Sequence, residues 1–254
     1  MFPYRDENET RRTPFATYAL IAANIASWLL VQGAGQPFSL ARSVCNLGLI
    51  AGELTGALPP GSRFPLGEGL VCVTDPGPQY SHVLTSMFLH GSWMHLIGNM
   101  WFLWIFGNNV EDSMGRGRFL AFYLFCGIAA AMLQVTFTPD SGIPMVGASG
   151  AISGVMGGYV VLYPFARVFV LIPLGFFLTS AALPAWTMVG YWALLQILSG
   201  LVSLGGENSV GGVAFWAHIG GLVAGLALVK FFARSDMVES HQAHHWAPQR
   251  LSWR

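Results

Sequence analysis

The stretch 168–206, VFVLIPLGFFLTSAALPAWTMVGYWALLQILSGLVSLGG, holds no Asp, Glu, Lys or Arg in 39 residues. The number of times it crosses a bilayer decides the fold, because a helix needs about 20 mostly apolar residues to cross. Pro173 and Pro184 divide the stretch. The piece before Pro184 is short for a span and carries a proline inside it. The piece Pro184–Ser203 has the length of one span, with proline at a helix-start position. The pattern predicts one span here, preceded by an interfacial segment.

Working outward, five further charge-free runs cover Thr13–Ala41, Pro76–Val110, Phe119–Pro139, Ser141–Ala166 and Asn208–Val229. They predict spans over Pro14–Gln32, Ser92–Asn109, Arg118–Phe137, Ala148–Tyr163 and Phe215–Phe232. The expected fold is all-α, a polytopic membrane protein built as a six-transmembrane-helix bundle. Residues 1–13 form an N-terminal segment and residues 14–233 the membrane domain, with a long outer loop at about 33–81. The tail, 234–254, is polar and expected to be flexible. Composition agrees: 54% of residues are hydrophobic and 9% charged, against roughly 25% charged in soluble domains. A net charge of zero gives no pull toward nucleic acid.

Lys and Arg collect on one side of this topology. Arg5, Arg11 and Arg12 precede span 1, Arg116 and Arg118 join spans 2 and 3, Arg167 follows span 4, and Lys230 and Arg234 end span 6. The N- and C-termini are therefore expected in the cytoplasm.

Two polar residues then stand out. Ser149 opens span 4 in Gly147-Ala148-Ser149-Gly150, and His218 lies near the start of span 6 in Ala217-His218-Ile219-Gly220-Gly221. With one span between them, spans 4 and 6 run parallel and the two residues share a depth; with two, they would lie in opposite leaflets. A lone serine reads first as helix packing, and Gly150, Gly154 and Gly157 continue such a small-residue face. An ionisable residue inside a span is costly and marks function more often. Gly221 and Gly225 share the face of His218 and permit close approach. His95 and Asn99, at i and i+4, share one face of span 2 and offer hydrogen-bond donors. Asp112, Asp140 and Glu207 lie at span edges, so Ser149 and His218 would act as a dyad. His90 and His95 lack the glutamate and spacing of a zinc metalloprotease motif, and no metal or other cofactor is expected. Cys126 reads as a packed small residue. Cys45 and Cys72 share the outer loop, as a disulfide or as two free thiols.

The ordered set His95-x-x-x-Asn99, Gly147-x-Ser149-Gly150 and Ala217-His218-x-x-Gly221 resembles the rhomboid family of intramembrane serine proteases, in its bacterial six-span form. The resemblance covers about Tyr80–Phe232. It implies that Ser149 is the nucleophile and His218 the base. It implies that Asn99, His95 and backbone N–H groups near Ser149 and Gly147 hold the oxyanion. It implies a capping loop at Leu204–Gly212 and a substrate path beside span 5. The implied substrates are single-pass transmembrane proteins, cut within a lipid bilayer, here a bacterial inner (plasma) membrane. Two departures stand out. Ser153 occupies a position where some relatives place an aromatic under the histidine ring, so His218 must be oriented otherwise. Ser81-His82 replaces a Trp-Arg pair in the first loop. Two competing readings are an inactive relative that binds membrane clients and a transporter; the first is disfavoured by retention of Ser149 and His218, the second by the lack of internal repeats.

Overall fold

The computed structural model describes residues 2–67, 69–175, 177–204 and 213–245. Strand β1 (Phe2–Asp6) leads to α1, which runs Phe15–Ala26 and continues as a π turn through Val31. The outer loop folds into α2 (Pro37–Leu47), α3 (Ala51–Thr55), a hairpin of β2 (Arg63–Gly67) and β3 (Leu70–Val73), and the short α4 (His82–Thr85). Then come α5 (Trp93–Met114), α6 (Arg116–Phe137), α7 (Ser149–Leu162), β4 (Arg167–Leu174), β5 (Phe177–Pro184), α8 (Ala185–Leu204), α9 (Phe215–Phe232) and α10 (Ser235–His245).

This is a polytopic helical bundle. By length and composition α6, α8 and α9 suffice to cross a membrane, and α1 and α7 are shorter apolar helices. One long helix, α8, separates α7 from α9 in sequence. The segment ahead of it is a β-hairpin. Pro173 and Gly175 break any helix there, and Gly175 takes the turn at φ +61°. Val168, Phe169, Val170 and Ile172 are β-branched or aromatic and suit a strand. The N-terminal residues complete a three-stranded antiparallel sheet in the order β1-β4-β5.

Helices α7 and α9 are parallel. Gly150 meets Gly221, Gly154 meets Gly225 and Gly158 meets Val229, so both chains advance together by one turn. The two glycine pairs meet backbone to backbone. A Cβ on Gly225 would stand 2.0 Å from the Gly154 carbonyl oxygen, and one on Gly157 2.6 Å from that of Leu222. Such contact is how membrane helices associate where lipid is as apolar as the side chains.

Two expectations change. Helix α5 continues past Asn109 to Met114 because its acidic end is partnered: Glu111 accepts from the Ala16 and Thr17 N–H groups, at 3.0 and 2.7 Å, and from the Thr17 hydroxyl. The tail is also ordered over α10. Arg234 N–H donates to the Ser113 carbonyl at 2.9 Å, and the Arg11 guanidinium donates to the Ser240 carbonyl at 3.1 Å.

In the outer loop Cys45 of α2 is disulfide-bonded to Cys72 of β3. The same loop braces the segment that leads into α7. Leu49 and Met145 exchange two backbone hydrogen bonds, and Gly52 N–H donates to the Ser141 carbonyl.

Candidate active site

Ser149 is the first residue of α7. Its N-cap, Ala148, provides no capping side chain. The N–H groups of the first turn have no intrahelical acceptor and carry the positive end of the helix dipole. His218 lies in the first turn of α9. Because the helices are parallel and in glycine contact, the two side chains meet: His218 Nε2 stands 2.7 Å from Ser149 Oγ.

The other ring nitrogen has a partner that the sequence reading missed. Nδ1 of His218 is 2.7 Å from Oε1 of Gln196 in α8. One turn earlier, the Trp192 indole lies 5.8 Å from the imidazole, tilted by 40°. The Ser153 hydroxyl donates to the Ser149 carbonyl at 2.6 Å rather than to the ring. Gln196 is the only side-chain amide in the charge-free run 168–206. That was the available signal, since amides inside spans seek partners on neighbouring helices.

His95 and Asn99 line one cavity with Ser149, Trp192 and His218, of about 740 Å³. Gly91 N–H donates to His95 Nδ1 at 3.3 Å, so in the neutral ring Nε2 carries the proton. That nitrogen faces Gly147: a Cβ there would stand 2.9 Å from it and 3.5 Å from Ser149 Oγ. Asn99 Nδ2 is buried and has no hydrogen-bond partner among the described residues. A buried unpaired donor is rare in proteins and calls for an explanation; its residue lines the cavity that also holds Ser149.

Gly147 is the third residue expected at the oxyanion. Its N–H donates to the Ser86 carbonyl at 2.9 Å, so that donor is already engaged. At φ +134° the backbone favours glycine, and a Cβ would collide with His95. Among the described residues no three His, Cys, Asp or Glu side chains group as a metal site. The expected capping loop falls outside the described residues at 205–212.

The arrangement holds a hydroxyl bonded to an imidazole, that imidazole bonded to an amide, and donors across a shared cavity. Comparison with known proteins points the same way. Residues 77–235 match the family model described as the rhomboid domain. The chain is 30% identical over 156 residues to Rhomboid-like protein 11, chloroplastic, of Arabidopsis thaliana, covering 60% of this chain and 52% of the relative. It is 30% identical over 115 residues to Rhomboid protein 1, mitochondrial, of Saccharomyces cerevisiae, covering 42% of this chain and 33% of the relative. It is 41% identical over 86 residues to Rhomboid protease GluP of Bacillus subtilis, covering 33% of this chain and 16% of the relative. The chain thus spans about half or less of the length of these relatives.

Proposed function

Because the chain belongs to the rhomboid family, whose members are generally intramembrane serine proteases, we propose that it is a serine endopeptidase that cuts single-pass membrane proteins in or near their transmembrane segments. The observation that carries this reading is the 2.7 Å contact between Ser149 Oγ and His218 Nε2, within the range for a nucleophile and its base.

In the proposed reaction, His218 Nε2 takes the Ser149 proton as Oγ attacks the scissile carbonyl carbon. The C=O electron pair moves onto oxygen. Asn99 Nδ2, His95 Nε2–H and the N–H groups that open α7 stabilise that oxyanion, the kind of interaction that contributes a few kcal/mol per donor. Collapse expels the amine, which takes the proton from His218. Water, deprotonated by the same imidazole, then releases the acyl group and restores Ser149.

The cavity of about 740 Å³ has the size to receive an unwound stretch of peptide. The topology that goes with this reading has six crossings, α1 and α5–α9, in a membrane domain over 14–233, with both termini on the cytoplasmic side of a bacterial plasma membrane. The distribution of Lys and Arg supports that orientation.

A fluorophosphonate probe tests the nucleophile. It is expected to label the wild-type protein and not Ser149→Ala; equal labelling of both removes Ser149 from the mechanism.

A further inference from the structure

We propose that Gln196 is the positioning residue for His218, filling with a neutral amide the place that a carboxylate takes in a serine triad. The proposal rests on the reading of Ser149 and His218 as a dyad and deepens it.

An amide oxygen can only accept a hydrogen bond. Oε1 of Gln196 lies 2.7 Å from His218 Nδ1, so Nδ1 bears the proton of the neutral ring. The ring has one such proton, and Nε2 is left bare to receive the proton of Ser149. In the opposite tautomer Nε2 carries the proton, cannot accept, and the dyad is idle. The same bond fixes the ring's rotation, aided by Trp192 on the same face of α8. When His218 becomes imidazolium, its Nδ1–H bond to Oε1 gains charge assistance.

An amide fits this location better than an acid. The run around Gln196 is free of charge, and an ionised carboxylate inside a span is expensive. A glutamine supplies the acceptor with no charge to bury. The ring's two nitrogens have Gln196 and Ser149 as partners, and the Ser153 hydroxyl of α7 is turned back on its own backbone.

The test uses the full chain in liposomes with a cleavable single-pass substrate. Gln196→Met keeps length and removes the acceptor. Its kcat is expected to fall about tenfold or more, the scale on which partners of functional histidines act, with KM within about twofold. The 15N-histidine signal of His218, identified by its loss in His218→Ala, is expected to show protonated Nδ1 in the wild type and a shift toward protonated Nε2 in Gln196→Met. Gln196→Glu keeps a carbonyl-type oxygen that accepts from Nδ1, so Nδ1 is expected to stay protonated and kcat to recover relative to Gln196→Met.

An unchanged kcat and an unchanged tautomer in Gln196→Met overturn the proposal. If that variant does not fold, an unchanged kcat and an unchanged tautomer in Gln196→Leu overturn it instead. Turnover that survives Ser149→Ala or His218→Ala breaks the dyad reading itself. Loss of turnover in both, beside a wild-type-like Gln196→Met, breaks only the role of Gln196.

Discussion

A Cβ on Gly221 would stand 1.8 Å from the carbonyl oxygen of Gly150. The obstacle is backbone, which no rotamer change relieves, so any side chain there must push α9 away from α7. The proposed dyad bridges those same two helices.

Gly221→Ala is therefore expected to destabilise the protein by at least the about 1–3 kcal/mol typical of overpacking and to abolish fluorophosphonate labelling of Ser149. Gly117→Ala is the control. A Cβ there meets nothing within 4 Å, and alanine is favoured over glycine in a helix by about 1 kcal/mol. Thermal unfolding in detergent and probe labelling of both variants check the pair; a labelled, wild-type-stable Gly221→Ala would contradict the packing argument.

Much of this site was legible before any coordinates. The glycines of α7 and α9 repeat with the helical period, and Gly221 and Gly225 share the face of His218, so close approach of the two helices is readable from spacing. The residues that proved unreadable depend on tertiary choices. Val168–Pro184 is charge-free and mostly apolar, and apolar runs do not distinguish a hairpin from a membrane segment; its pairing with β1 depends on residues far away in sequence. Gln196 acquires meaning only once the rotation of α8 about its axis is known. The Gly147 N–H is committed to Ser86 by the path of the loop, which no motif encodes.

Asn99 separates function from stability. Its Nδ2 is a buried donor with no partner among the described residues, so the fold draws no hydrogen bond from it there. Asn99→Ala is expected to leave the unfolding midpoint unchanged or raised, because an unmet buried donor is removed. It is expected to lower kcat by about 10²–10³, the effect of deleting one oxyanion donor. Measuring both quantities on one preparation decides the matter: a large drop in stability with unchanged kcat would make Asn99 a packing residue.

Glu111 works in the opposite sense. It is buried on α5 and accepts two N–H groups and one hydroxyl from the first turn of α1, a carboxylate at the positive end of a helix dipole. Glu111→Leu leaves those donors unmet and is expected to cost about 3 kcal/mol or more. Thr17→Val removes only the hydroxyl and is expected to cost about 1 kcal/mol. Equilibrium unfolding in mixed micelles resolves the two; equal losses would show that the backbone contacts of Glu111 contribute nothing.

His90 gives the fold an acid limit. It lies in the loop before α5, fully buried, with neither ring nitrogen partnered among the described residues and its ring edge-on to His95. Burial, and then the charge of His95, lowers its pKa from 6.5 to about 3. The unfolded chain binds this proton at the ordinary value and the native state refuses it. Stability is therefore full above the unfolded pKa, and falls as pH drops from 6.5 toward 3, by about 1.4 kcal/mol per pH unit from this one group. His90→Phe fills a similar volume and cannot bind a proton. Its unfolding free energy is expected to decline less steeply than that of the wild type across that window, with the two curves parallel above neutral pH. Parallel curves through the acid window as well would assign the acid sensitivity to other groups.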